Sequence, residues 1–560
     1  MNPRFACLFT LFFLLAGAAF STTLLLNSQE YEDIIASAVY AAHNNYSFVF
    51  ALTPNQSVFI SKYYTADKNE PIIYLEGNST ILPNMAALVA DASPKNLTSI
   101  LSQSPRDWVA QELGKDEAIV VGSTYGQDAL SVSSYAALVG APIYFISNPS
   151  QSQDEIEKIV SRGYKKVIFY GSIAEQMPLE ILELVPNREI IDTGSRYSNN
   201  MQITKRFLQI SPTTQAMFVS GYSFEKSMVD SRYPLLLVGR SDIPSGLSSF
   251  LSQNNISSGI VYSGDSDIVE GINKLKVENP QIAFFVKFGE GYRGSSQPLP
   301  LMIIPLPSPN LGIQIANLTY NVPAKSFELM IANKGDFAAV SAGASVEGAG
   351  TAQSSQVLLD EHKQTTLVIP LDASSAISGG KIPSVTISLR YGEDVALMDN
   401  IDTVVFSNVQ TSFYNDTSSV RLIGLDYSDD EKAFVLTFDG NGWAEGTLGF
   451  NINDRPVILR VPLSQINGVT KVRIKHLLSA DEQKFVNGLG ANYFLRSGME
   501  QDILLKEDRG QSAIYLSVPK SSGMFGSLKI EPIYVFIIVV LIVLALLAAK
   551  FFIKNDDSFV

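Results

Sequence analysis

Few residues in this chain have the types and spacing that chemistry at neutral pH requires. There are 3 histidines among 560 residues. His43, His362 and His476 fall in three different parts of the chain, which argues against a His-centred metal site or catalytic triad. Cys7 is the only cysteine and lies in the apolar N-terminal run, so the mature chain is expected to use neither disulfides nor thiolate chemistry. Gly289, Gly291 and Gly294 form a Gly-x-Gly-x-x-Gly after the strand-like AFFVKF. The next residues are SSQPLPL and not a helix whose N-terminus would hold a pyrophosphate, so no nucleotide site is read there. Gly122-Ser123-Thr124-Tyr125-Gly126 has the outline of a nucleophile elbow but carries Thr at the nucleophile position, and reads as a strand-to-helix turn. The acidic clusters Asp426, Asp429, Asp430 and Glu431, and Asp439 with Asn441, lack the spacing of an EF-hand and read as solvated turns. No catalytic residue, metal or cofactor is expected.

Binding is what remains. In open α/β sheets, ligands sit on loops at the strand ends. Asp128, Arg196, Tyr197 and Arg240 are the polar candidates at such positions. The elements that would position them form a degenerate repeat. An apolar strand recurs as SFVFALT at 47, AIVVGST at 118 and AMFVSGY at 216. Each leads to a strand opening with proline: EPIIYLE, APIYFIS and YPLLLVG. The offsets from 47 to 71, 118 to 142 and 216 to 234 are 24, 24 and 18 residues, which places Pro71, Pro142 and Pro234 at one structural position. Proline followed by apolar residues is also how a strand begins when its first N–H need not join a ladder, so those side chains are expected in the core. Helical segments with Ile156, Ile159 and Val160, and with Leu247, Phe250 and Leu251, on one face follow in the second and third units. Near-continuous apolar strands joined through helices imply parallel sheets covered on both faces.

The segment VVGSTYGQDALSVSSYAALVGAPIYFIS, with Asp128-Ala129-Leu130 and Gly140-Ala141-Pro142-Ile143, resembles the second type of cell-wall-binding repeat, found in tandem on surface proteins of Gram-positive bacteria and some archaea. TGSRYSNN adds Arg196 and Tyr197, similar to that family's Arg-Tyr element before a first strand. The resemblance covers about residues 45–290. It implies three flavodoxin-like or Toprim-like α/β subdomains around a pseudo-threefold axis. It also implies anionic wall polymers bound at the proline strands, here Pro71 to Tyr74, Pro142 to Phe145 and Pro234 to Leu237. The sequence departs from the pattern at Gln56-Ser57-Val58 and Lys226-Ser227-Met228, which stand where unit two has Asp-Ala-Leu.

After the Pro-rich QPLPLMIIPLPSPN, strands follow strands. Phe327, Leu329 and Ile331 alternate, as do Val340, Ala342 and Ala344 across the turn Asn333-Lys334-Gly335. This is similar to immunoglobulin-type, adhesion-related sandwich domains. VRLIGLDY, KAFVLTFDG, GTLGFNIND, RPVILRVPL and VTKVRIKHLL give a second β module, read as a stalk. The fold class expected is multidomain α/β plus all-β: tandem flavodoxin/Toprim-like repeats, two β-sandwich-like modules and one transmembrane helix. The bounds are a signal peptide at 1–21, repeats over 22–295 (about 30–105, 106–192 and 193–290) and a linker at 296–310. An immunoglobulin-like sandwich at 311–411, a second β module at 412–528, a transmembrane helix at 532–553 and a tail at 554–560 complete them.

The signal peptide and the span are read from the two ends. Arg4 before LFTLFFLLAGAA has the pattern of a secretory signal. The uncharged run from Ile533 to Ala549, with Lys550 and Lys554 beyond it, has the length of a membrane span with a cytoplasmic C-terminus. The expected location is therefore a cell membrane crossed once, with the N-terminal bulk outside. A net charge of −14 argues against nucleic acid. Sequons at Asn45, Asn55, Asn78, Asn96, Asn255, Asn317 and Asn415 permit glycosylation. Three functions fit: a non-enzymatic protein whose head binds an envelope glycan or a surface-layer protein, an ectoenzyme on an envelope polymer, or a small-ligand receptor with a membrane partner.

Overall fold

The apolar runs that mark the repeats become strands of three separate parallel sheets. The computed structural model describes residues 22–61, 71–92, 97–101, 104–262, 268–287, 291–292, 299–300, 302–452, 455–478 and 480–517. In the first unit the strands are β1 (Thr23–Asn27), β2 (Ser47–Phe50), β3 (Ile72–Glu76) and β4 (Leu97–Leu101). The second has β5 (Glu117–Gly122), β6 (Ile143–Ile146), β7 (Lys166–Tyr170) and β8 (Arg188–Ile191). The third has β9 (Gln215–Val219), β10 (Leu235–Leu237), β11 (Ser258–Tyr262) and β12 (Ala283–Lys287). Each sheet is four-stranded, with its second strand outermost, then the first, third and fourth. The chain therefore reverses direction across the sheet between first and third strands. That creates a crevice at their C-terminal ends, the place where open α/β sheets put ligands.

Four helices position the polar candidates: α1 (Tyr31–His43), α2 (Pro105–Glu112), α3 (Gly126–Val139) and α4 (Arg196–Ile210). Helix α3 packs between α1 and α4 and so joins the units. Its Ala129, Leu130, Val132 and Ala136 are fully buried in a core shared by all three. His43 Nδ1 lies 2.9 Å from the Ala137 carbonyl, and Tyr31 Oη donates to the Ser123 carbonyl at 2.7 Å, so the first unit is tied to the second by polar contacts as well.

The register corrects the phase of the first unit. Ser47–Phe50 is not a first strand: it is the outer second strand, paired with β1 from Thr23↔Ser47. The first strand is TLLLN at Thr23–Asn27, buried throughout, and lies before the expected start of that repeat near 30. Pro71 consequently precedes a third strand, whereas Pro142 and Pro234 precede second strands. The carbonyls of all three prolines do accept from a first-strand N–H, of Thr23, Ile119 and Met217, at 2.8, 3.0 and 2.8 Å. The strands of unit one begin at 23, 47, 72 and 97, so evenly that sliding the assignment by one strand leaves the spacing unchanged.

The Pro-rich stretch is also corrected. Its residues 302–307 do not link: Ile303–Pro305 pairs antiparallel with Ser223–Glu225, and Met302, Ile304 and Leu306 are buried in the α/β core. Alternation of apolar residues decided this over proline content.

The β-rich half contains one eight-stranded sheet wrapped around a core that includes Phe327, Leu329, Ile331 and Val340, followed by two four-stranded sheets enclosing a second core. The α/β and β-rich parts are thus present, but the transmembrane part of the expected fold is not supported. Among the described residues no helix is long and apolar enough to cross a membrane. The longest of them, α4, has 15 residues, against the roughly 20 a span needs. The single-pass membrane location that rested on such a helix is withdrawn. Residues 532–553, like the signal-type run at 1–21 and Asn96, lie outside the described residues. The other six sequon asparagines are exposed.

Candidate functional site

The crevice of the second sheet gathers the candidates. Helix α3 leaves the C-terminal end of β5 and carries Asp128 in its first turn. Gly171, at φ +76°, closes β7 beside it, and a Cβ there would lie 2.8 Å from Asp128 Oδ2. Ser195 caps α4 through the Ser198 N–H, which sets Arg196 at the start of that helix facing the same crevice. Arg196 Nε meets Asp128 Oδ1 at 3.4 Å.

The first sheet repeats this arrangement with different residues. Asp33 stands in the first turn of α1, Gly77 follows β3, and Arg106 begins α2 and meets Asp33 Oδ1 at 3.0 Å. A Cβ on Gly77 would lie 2.8 Å from Asp33 Oδ2. Asp33-Ile34-Ile35, not Gln56-Ser57-Val58, is therefore the counterpart of Asp128-Ala129-Leu130. In the third sheet Glu225, 1% exposed, pairs with Lys287 at 3.1 Å. One acid–base pair thus closes the C-terminal end of each sheet. Arg106 also pairs with Glu30 at 3.0 Å and with Glu32.

Arg196 is further committed across the interface with the β-rich half. A hairpin of the eight-stranded sheet, residues 392–400, inserts into the α/β head. Its Glu393 pairs with Arg196 and accepts from Tyr222 Oη at 2.9 Å and Gln127 Nε2 at 3.3 Å. Asp394 accepts from the Arg196 backbone N–H at 2.9 Å. Leu397 is buried in the head core. Asp399 accepts from the Arg240 N–H at 3.0 Å, while the Arg240 guanidinium lies over the Tyr222 ring at 4.0 Å. Tyr197, 3% exposed, is a core residue. Asp128, Arg196 and Arg240 therefore come together as parts of a clamp between head and β-rich half, and Tyr197 packs beneath it. Burial works against the charge on Arg196, but Asp128 and Glu393 outweigh it and raise its pKa. Burial pushes the Asp128 carboxyl up, with Arg196 opposing.

The proline strands are core. Leu235, Leu236 and Leu237 are at most 2% exposed, and Ile143 is 3% exposed. Phe145 packs edge-on against Tyr31 of the first unit.

Above the clamp lies a cavity of about 730 Å³, bounded by the crevice of unit two, the eight-stranded module and the last module. Six carboxylates face it, Asp128, Glu175, Asp192, Asp360, Glu393 and Asp394, against the guanidinium groups of Arg196 and Arg460. Asp360 is held by Arg460. Among the described residues neither Glu175 nor Asp192 is in an ion pair with Arg or Lys; His476 Nδ1 lies 3.7 Å from Glu175 Oε1, and Lys432 and Lys475 line the adjoining cavity. His476 is 8% exposed and its Nε2 has no hydrogen-bond partner. None of Glu175, Asp192 and His476 stands out in the sequence, because they converge only through the contact between unit two and the last module. The turn acids of that module are satisfied otherwise: Asp429 pairs with Lys432 at 2.6 Å, Asp439 with Arg421 at 2.8 Å, and Glu431 with Arg473.

Burial, then the charge of Glu175, holds the Asp192 carboxyl at about 6. In an unfolded chain it would titrate near about 3.9. The folded state therefore binds the proton more tightly, and this contribution to stability is present at low pH and lost as pH rises through about 6. Asp192→Asn is expected to flatten the pH dependence of the thermal midpoint in that window. Asp33, also raised to about 6 by burial, leaves a residual slope. An unchanged slope in the variant would count against burial as the cause.

The fold and site define a three-unit α/β head clamped onto two β-rich modules, with an acidic cleft at the junction. No family model matches the chain. It is 20% identical over 287 residues to the N-acetylmuramoyl-L-alanine amidase LytC of Bacillus subtilis, a match covering 49% of this chain and 57% of that one. The chain thus spans little more than half the length of that relative. Among solved structures it is similar to Cwp6 of Clostridium difficile, at 17% identity and a TM-score of 0.34 over 46% of this chain and 44% of that one. Cwp8 of the same organism gives 15% identity and a TM-score of 0.31 over 47% and 48%.

Proposed function

We propose that this chain is a cell-wall-associated binding protein without catalytic chemistry of its own, whose head and β-rich modules together present the junction cleft to an envelope glycan. One observation carries the reading: an ion pair closes the end of each sheet, Asp33 with Arg106, Asp128 with Arg196 and Glu225 with Lys287, and in unit two that pair is spent on holding the modules together. A general acid or base must be free to exchange a proton with substrate, and a ligated guanidinium or carboxylate is poorly placed for that. The sequence similarity over 287 residues to an N-acetylmuramoyl-L-alanine amidase supports the wall association. An acidic cleft favours neutral or cationic ligands over the anionic polymers that the repeat resemblance implied.

Full-length protein incubated with isolated cell envelopes is expected to sediment with them at moderate salt and to release no soluble wall fragments. Failure to sediment would remove the binding reading. Release of fragments by the protein, abolished in Asp192→Asn, would replace it with an enzyme acting on the envelope. Sedimentation lost after protease treatment of the envelopes would make the ligand a neighbouring protein.

A further inference from the structure

The cavity at the clamp does not stand alone. It shares Glu175, Gln176 and Asp192 with a neighbouring cavity of about 440 Å³ that ends at His476. On its other side it shares Gly194, Leu358, Ile458 and Arg460 with one of about 460 Å³. The three run in series along the junction between unit two and the β-rich modules. A compact metabolite would fill one of them, whereas an extended chain would occupy the series.

The chemistry of the middle part narrows the ligand. Where Glu175 and Asp192 line the cleft, Glu175 meets His476 Nδ1 at 3.7 Å, and Asp192 Oδ1 accepts from the Gly194 N–H at 3.0 Å, so both carboxylates keep lone pairs to spare. The wall of the middle cavity thus carries more carboxylates than cations, six against the guanidinium groups of Arg196 and Arg460. An anionic chain would meet uncompensated carboxylates there, while ammonium groups would satisfy them.

Resting on the envelope-glycan reading above, we propose that this cleft binds a linear saccharide bearing free amino groups, its ammonium groups seated at Glu175 and Asp192. An N-acetylated chain of the same length lacks the charge and adds a methyl where the carboxylates need donors. It binds weakly at the same place.

The test is a calorimetric titration of the full-length protein with a β-1,4-linked glucosamine tetramer and, separately, the N-acetylglucosamine tetramer. The glucosamine tetramer is expected to bind at least 10-fold more tightly, and its affinity to fall at least 5-fold in Glu175→Gln. Glu175 is 45% exposed, so this variant keeps the fold even if Asp192→Asn does not. Equal affinity for the two tetramers, or wild-type affinity in Glu175→Gln, overturns the assignment. If neither tetramer binds while the protein still sediments with envelopes, the amino-sugar assignment fails and the envelope reading stands. If sedimentation fails as well, both fall.

Discussion

Arg196→Ala is expected to lower the stability of the folded chain by about 3–5 kcal/mol, the cost of leaving buried carboxylates without their partner. Arg196 is 15% exposed in its side chain and Glu393 6%, so solvent cannot replace the lost guanidinium. Three groups are stranded together: Asp128 within unit two, Glu393 across the interface, and Gln127, which also contacts Arg196. Arg196→Lys keeps the charge but loses the planar fork, and should fall between wild type and alanine. Guanidinium unfolding followed by tryptophan fluorescence reads the effect, since Trp108 lies in the head core and Trp443 in the last module. A loss below about 1 kcal/mol would mean that the pair is a surface contact of ordinary worth.

The second large effect is expected at Arg496. Only 2% exposed, it pairs with Glu445 at 3.2 Å and donates to the Leu504 carbonyl within the last module, and crosses to the eight-stranded one at Thr365 Oγ1, 3.1 Å away, and the Thr366 carbonyl. Burial lowers its pKa, with Glu445 opposing, while burial raises that of Glu445. Arg496→Met should cost about 3–5 kcal/mol because Glu445 and the carbonyls lose their donors. Arg509 lies in the same interface but is 64% exposed in its side chain, and Arg509→Ala should cost less than about 1 kcal/mol. Equal effects at the two arginines would refute the assignment of Arg496 to a buried junction.

Much of the architecture is legible in the sequence because burial leaves a pattern. The runs around Ala118 and Ala216 are first strands, and Phe327, Leu329 and Ile331 are fully buried on one face of their strand. The first unit reads one strand out of phase, because strands recurring at nearly constant spacing carry no mark of which comes first. The Asp33–Arg106 pair escapes notice for the same reason: with Ser47 as a first strand, residues 28–35 have no place in the repeat. Asp128, Arg196 and Arg240 can be found from their position at strand ends, but Glu393, Asp394 and Asp399, the partners of the two arginines, lie 159 to 198 residues away in a different kind of domain. Periodicity reports which face of an element is buried, and it is silent about what covers the polar end of a sheet. Proline content misleads over residues 302–307 because proline is tolerated at a sheet edge as readily as in a linker.

The cleft lies at the junction that Arg196 and Glu393 fasten from within, two charged groups buried between head and β-rich half. A double-mutant cycle of Arg196→Met and Glu393→Gln in the full-length protein, read by guanidinium unfolding, measures the fastening directly. A coupling of about 1–3 kcal/mol, with the double variant losing much less than the sum of the singles, is the predicted result. Single effects that add to within about 0.5 kcal/mol would contradict it and leave the junction without its clamp.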